Sequence, residues 1–199
     1  MMKSCLLCGV GGQGTVLASR ILAMAAIEKG YFARTAETIG MAQRGGCVTS
    51  HVRIGESVPS PLIPPGRADA VLAFEPGEGV RNLSYLKDGG IVIASDRIVP
   101  SVTSSLAGAD YSAGTMLGYL RANVRDCFIL SAGEVERICG SVRFMNMALA
   151  GALAESGVMD LTLPDLESAI RKKVRQQFVE KNLEALQYGA AMIKESRRA

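Results

Sequence analysis

Apolar positions along this chain fall into short unbroken runs and longer helical stripes, and the two kinds alternate. Lys3-Ser4-Cys5-Leu6-Leu7-Cys8 is a brief apolar run of the sort a strand buried on both faces shows. From Thr15 to Lys29 the positions Val16, Leu17, Ile21, Leu22, Met24, Ala25 and Ile27 repeat with helical spacing. Phe32 to Glu37 then reads as a short second strand, and Cys47 to Ile54 as a third, β-branched and partly alternating, ended by Gly55-Glu56. Pro59, Pro61, Pro64 and Pro65 make 57–66 a stiff surface connection. Ala68 to Phe74 is an apolar strand interrupted only by Asp69. Glu75-Pro76 opens a helix expected to reach about Leu86, with proline suited to its first turn. Gly89-Gly90 reads as a turn into a central strand at Ile91-Val92-Ile93-Ala94.

The second half is richer in helical stripes. Ser112 to Val124 reads as a helix, Asp126 to Leu130 as a last strand, and Gly133 to Glu155 as one long helix carrying Val135, Ile138, Val142, Met145, Leu149 and Leu153. Leu163-Pro164-Asp165 introduces a helix through Val174, and a final one runs from Val179 to about Lys194. Strands alternating with helices predict an α/β fold in three layers, a mostly parallel, Rossmann-like sheet flanked by helices, with a helical C-terminal part from about residue 133. No internal repeat or linker divides the chain, so residues 1–199 are expected to form a single domain.

Composition narrows the picture. A chain of 199 residues can bury roughly 70% of its unfolded surface without disulfides or a structural metal. No apolar run approaches the roughly 20 residues that span a bilayer, and the start lacks the basic region and cleavage site of a signal peptide. These features predict a cytoplasmic protein with no membrane partner. The net charge of +3 is small, and the basic residues near the C-terminus alternate with Glu180, Glu184 and Glu195, so nucleic acid is not an expected partner either. Five cysteines, an odd number without a secretion signal, argue for reduced thiols. Cys5-x-x-Cys8 lies inside a strand pattern, and His51 is the only histidine, so no metal site is expected.

The most informative motif is Gly9-Val10-Gly11-Gly12-Gln13-Gly14, at the junction of the first strand and the first helix. Glycine permits positive φ and lets another group come close to the backbone, while the N–H groups that open a helix favour an anion. The spacing Gly9, Gly11, Gly14 satisfies the dinucleotide fingerprint, and Glu37 lies where an acidic residue could hold a ribose. A stand-alone NAD- or FAD-binding protein is therefore one reading. A second loop, Gly40-Met41-Ala42-Gln43-Arg44-Gly45-Gly46, could lie flat against another surface, with Arg44 offering a planar fork for carboxylate or phosphate. In a sheet of this class the loop after the second strand falls near the loop after the first, at the carboxyl ends where ligands bind.

Together, Gly9 to Gly14, Gly40 to Gly46, Ser50-His51-Val52-Arg53-Ile54-Gly55, Ala68-Asp69 and Glu75-Pro76 resemble the gamma domain of the 2-oxoacid:ferredoxin oxidoreductases, and within it the small beta subunit of the indolepyruvate type. The helix around Asn146 and the segment Glu180-Lys181-Asn182-Leu183-Glu184-Ala185 resemble the family's C-terminal part, so the likeness covers nearly the whole chain. The resemblance implies a division of labour. Thiamine diphosphate, magnesium and the iron-sulfur clusters would sit on a large alpha subunit, electrons would leave to ferredoxin through the complex, and coenzyme A would be co-substrate. This chain, with no suitable cysteine set and no Gly-Asp-Gly thiamine motif, would bind none of those cofactors alone and contribute no catalytic residue. Its two loops, at Gly9, Gly11, Gly12, Gln13 and Gly14 and at Gly40, Gln43, Arg44, Gly45 and Gly46, would face the ligand or partner cleft. Gln13 can bond either a ligand or the adjacent backbone, His51 reads as a structural histidine, and Asn146 could serve a neighbouring backbone or an interface.

Overall fold

The computed structural model describes residues 1–39, 46–100 and 111–198. Six strands, β1 (Lys3–Val10), β2 (Phe32–Ile39), β3 (Cys47–Gly55), β4 (Ala68–Ala73), β5 (Leu86–Ser95) and β6 (Asp126–Leu130), form one sheet in the order β2-β3-β1-β4-β5-β6. The half from β1 through β4 and β5 to β6 is parallel, whereas β3 runs antiparallel to both β1 and β2. The sheet is thus mixed: a parallel half carrying an antiparallel β2–β3 hairpin. Because β3 reverses direction twice over, β2 still points the same way as β1.

Alternation along the strands divides the core. Cys5, Leu7, Ala70, Leu72 and Ile93 face one apolar cluster; Leu6, Cys8, Val71, Ala73, Val92 and Ala94 face the other. The first is covered by α1 (Thr15–Glu28) and by the C-terminal helices, the second by α2 (Pro76–Arg81) and α3 (Ala113–Asn123). Cys5 and Cys8 therefore point to opposite sides of the sheet and cannot share a metal, and burial pushes both thiols well up.

Three local expectations are corrected. The helix opened by Glu75-Pro76 stops at Arg81: the Asn82 side-chain amide takes the Glu78 carbonyl, a 3-10 turn follows at Leu83–Tyr85, and Leu86 already belongs to β5. Gly89 and Gly90 lie inside β5, where the register against β4 jumps from Ala68↔Leu86 to Ala70↔Ile91, so they form an irregularity within the strand. The stripe from 133 to 155 is two helices, α4 (Ala132–Cys139) and α5 (Met145–Ser156), because Gly140 ends the first at φ +79° and a 3-10 turn, Val142–Phe144, intervenes. Helices α6 (Leu163–Lys173) and α7 (Gln176–Ser196) complete the described chain, α6 starting at a Thr162–Asp165 capping box.

The proline-rich stretch after β3 is pinned rather than loose. Arg34 donates to the Val58 carbonyl at 2.7 Å, Arg53 donates to the Ser60 and Leu62 carbonyls at 2.9 Å, and Ile63 N–H donates to His51 Nδ1 at 3.1 Å. Burial holds the His51 imidazole below its ordinary value of 6.5, with Arg53 adding to the effect. The neutral ring accepts one backbone bond and meets Tyr85 edge-on, with ring centroids 5.7 Å apart. It is a structural histidine.

Candidate functional site

In a parallel sheet the crevice lies where successive connections leave toward opposite sides, here between the carboxyl ends of β1 and β4. The glycine turn occupies that position. Gln13 stitches it shut: Val10 N–H donates to Gln13 Oε1 at 2.7 Å, and Gln13 Nε2 donates to the Phe74 carbonyl at 3.0 Å, just beyond the last rung between β1 and β4. Of the two roles open to Gln13, the amide serves the backbone, using one end on each strand. Gly9 leaves room for it, since a Cβ there would lie 2.7 Å from Gln13 Oε1 and 2.8 Å from Phe74 Cβ. Gly14 enters α1 at φ +84°, and a Cβ at that position would lie 2.6 Å from Asn146 Nδ2. Asn146 itself is buried at the start of α5, its Oδ1 accepting the Met147 N–H at 2.9 Å, so it packs the glycine turn against α5.

Around this turn opens a cleft of about 260 Å³. Gly11, Gly12 and Gln13 form one wall. Arg97, on the segment leaving β5, and Arg143, on the 3-10 turn before α5, lie on the others. Both arginines are exposed, and neither enters any ion pair among the described residues. Helix α1 begins at the cleft at Gly14 with no side-chain cap, whereas α5 follows directly on a 3-10 turn capped by Ser141 Oγ, its Met145 and Met147 N–H groups already taken by the Val142 carbonyl and Asn146 Oδ1. The uncapped start of α1 presents free N–H groups and the positive end of its dipole, so with two guanidinium groups the cleft favours negative charge. Its volume sits below the roughly 300–1,000 Å³ of pockets that enclose a whole drug-sized ligand, which suits part of a phosphate-bearing molecule.

Of the second loop, Gly40, Gln43, Arg44 and Gly45 lie outside the described residues. Gly46 is described, and its carbonyl accepts the Gly11 N–H at 3.0 Å, continuing the β1–β3 pairing past Val10↔Cys47. Glu37 lies on β2, with β3 interposed between it and β1, and it accepts a bond from the Ser19 hydroxyl at 3.4 Å. It is not on the strand beside the glycine turn, where the dinucleotide arrangement needs its acid. Sequence reasoning passed over Arg97 and Arg143. The signal available for Arg97 was its place just after a central apolar strand, at the end where such sheets bind ligands; Arg143 lay hidden in what reads as uninterrupted helix.

The remaining polar groups near the cleft are buried and satisfied. Glu75, fully buried, caps α2 through the Glu78 N–H at 2.9 Å and accepts the Tyr111 hydroxyl at 2.9 Å. Burial raises the Glu78 carboxyl, opposed by its ion pair with Arg81. No group of three or more His, Cys, Asp or Glu able to hold a metal occurs among the described residues. Nor is any helix among them long and apolar enough to cross a membrane.

This fold and cleft define a class. Residues 4–192 match the family of pyruvate ferredoxin/flavodoxin oxidoreductases, and the chain belongs to it. Among its relatives, the indolepyruvate oxidoreductase subunit IorB of Archaeoglobus fulgidus is 40% identical over 91% of this chain and 90% of its own length. The IorB subunit of Thermococcus kodakarensis is 34% identical over 94% of each. Among solved structures, the gamma subunit of a keto/oxoacid ferredoxin oxidoreductase from Geobacter sulfurreducens shares the fold at TM-score 0.69 and 23% identity, covering 97% of this chain and 99% of that one. The 2-oxoglutarate:ferredoxin oxidoreductase of Magnetococcus marinus, solved with 2-oxoglutarate, coenzyme A and succinyl-CoA bound, matches 98% of this chain with 31% of its own, at TM-score 0.71 and 21% identity. The chain is a small subunit of a multi-subunit oxidoreductase of this family.

Proposed function

We propose that this chain is the cluster-free small subunit of a thiamine-diphosphate-dependent 2-oxoacid:ferredoxin oxidoreductase of the indolepyruvate type, working with a large alpha subunit that carries thiamine diphosphate, magnesium and the iron-sulfur clusters. The complex decarboxylates an aryl 2-oxoacid oxidatively, passes electrons to ferredoxin and transfers the acyl group to coenzyme A. Within it, the cleft at the glycine turn receives the diphosphate-bearing part of coenzyme A. Gly11 and Gly12 let that group approach the backbone, the start of α1 offers N–H groups, and Arg97 and Arg143 neutralise the charge. The observation that carries this reading is the convergence of two exposed arginines and the uncapped start of α1 on one small cleft.

The test is steady-state kinetics of the reconstituted two-subunit complex with Arg143→Ala. Losing one charge-assisted contact of roughly 1.5–3 kcal/mol should raise KM for coenzyme A by about tenfold or more while leaving KM for the 2-oxoacid near its starting value. An unchanged KM for coenzyme A would remove the cleft from the reaction. Full activity from the large subunit alone would remove the chain from it.

A further inference from the structure

The end of β4 does two jobs one residue apart. The Phe74 carbonyl takes the Gln13 amide, which fixes the glycine turn. The next residue, Glu75, does the other. Its carboxylate is 0% exposed and gathers the segments on either side of residues 101–110: Val99 N–H at 3.4 Å from one and the Tyr111 hydroxyl at 2.9 Å from the other. Between β5 and Val99 lies Arg97. Its own N–H is turned back onto Ser95 Oγ at 3.1 Å, and the preceding Asp96 accepts the Ala132 N–H at 2.7 Å. The cleft-lining arginine thus sits on a short run of backbone held at both ends. A buried carboxylate is costly unless its oxygens are bonded, and among the described residues three protein groups bond it. Capping α2 needs only the Glu78 N–H. The bonds to Val99 and Tyr111 serve the far side of the cleft.

We propose that Glu75 is a positioning residue of the anion cleft: it holds the segment carrying Arg97 against the carboxyl end of β4, whose Phe74 carbonyl already holds the glycine turn, so one strand end sets the separation of two cleft walls. This rests on the reading of the cleft as the coenzyme A site. Glu75 touches no ligand and acts through Arg97.

The experiment uses the full complex with the large subunit and the variants Glu75→Gln, Tyr111→Phe, Arg97→Ala and Glu75→Gln/Arg97→Ala. Binding of coenzyme A is measured by calorimetry without 2-oxoacid, and KM and kcat by dye reduction. Glu75→Gln keeps size but offers an amide NH₂ where an oxygen accepted. Loss of a bond worth about 1 kcal/mol predicts coenzyme A binding weaker by roughly fivefold, with the effect falling on its KM more than on kcat. Tyr111→Phe, which removes one donor, should shift binding in the same direction by a smaller factor. In the Arg97→Ala background, Glu75→Gln should add less than twofold, because the group it positions is gone. A merely structural role would instead give the same factor in both backgrounds and would overturn the proposal, as would unchanged binding in both Glu75→Gln and Tyr111→Phe. Should Glu75→Gln fail to assemble, Tyr111→Phe alone and combined with Arg97→Ala supplies the same comparison. Should Arg97→Ala bind coenzyme A as tightly as the parent, the coenzyme A reading of this wall fails and the positioning role with it. Weakened binding in Arg97→Ala without non-additivity sinks the positioning role alone.

Discussion

Gly189→Ala should destabilise this chain, although alanine is the better helix former. Gly189 lies on α7, where that helix crosses α5, and a Cβ there would sit 1.8 Å from the Ala148 carbonyl oxygen, 2.7 Å from its carbon and 3.0 Å from Ala152 N, all rigid backbone. An ordinary contact needs about 3.4 Å or more, so the axes would have to part by roughly 1 Å or more, and gaps of that size forfeit a quarter to a half of the dispersion energy across the seam. Overpacking of this kind costs about 1–3 kcal/mol and occasionally more, against a gain of at most about 1 kcal/mol in helix propensity. The net loss of about 1–2 kcal/mol corresponds to a fall in Tm of roughly 2–8 °C for a domain of this size. The internal control is Gly118→Ala on α3. Gly118 is exposed, and a Cβ there meets nothing within 4 Å, so the same substitution should raise Tm by about 1–4 °C. Gly151→Ala presses on the same seam from the other side, with its Cβ 1.9 Å from the Leu186 oxygen. One widening of the seam relieves both clashes, so the Gly151→Ala/Gly189→Ala double variant should lose less than the sum of the singles. Thermal melts followed by circular dichroism read all four variants. A Gly189→Ala protein melting at or above the parent, with Gly118→Ala also raised, would refute the steric argument.

Two further outcomes follow from the site and its surroundings. Gly14→Ala should cost about 1–2 kcal/mol from the left-handed backbone alone, and more than that in sum because of Asn146; repeating it on an Asn146→Ala background should recover only the steric part, which urea unfolding can separate. His51 is held neutral when folded, so its folded value lies below the unfolded one, and its contribution is present above about pH 6.5 and lost as pH falls through the window below. His51→Asn, whose side-chain oxygen can replace Nδ1 as acceptor for Ile63, should remove that part of the pH dependence. Denaturation midpoints at pH 5 and pH 8 give the comparison: a parent and a variant losing equal stability on acidification would show that His51 carries none of it.

Much of this architecture was legible because local chemistry and tertiary demand agree. The unbroken run Cys5 to Cys8 could only be a strand covered on both sides, and the structure places its alternate residues in two separate clusters. The helix starting at Leu163 announced itself through Thr162, Pro164 and Asp165. Agreement failed where a long-range partner decided the outcome. Glu75 to Leu86 has helical composition, but Leu86 is claimed by Ala68 of β4, an interaction between residues far apart in sequence. Periodicity through 133–155 survives the break at Gly140 because α4 and α5 both turn apolar residues to the same core. The direction of β3 was likewise invisible, since a partly alternating strand reads the same parallel or antiparallel. At the site, the glycine turn showed itself by residue type, whereas Arg97 and Arg143 are ordinary residues made significant by where their backbones emerge.

The two ends of the sheet bear on how the subunit survives before it has a partner. An uncovered strand edge is a template for another chain's strand, the route by which newly made sheet proteins aggregate. Here β6 ends the sheet with only five residues, and β2 ends it with a charge on each face, Arg34 on one and Glu37 on the other. Neither border offers a long, flat apolar rim to a second sheet. Both borders of the sheet are therefore poor templates for a strand from a second copy of this chain.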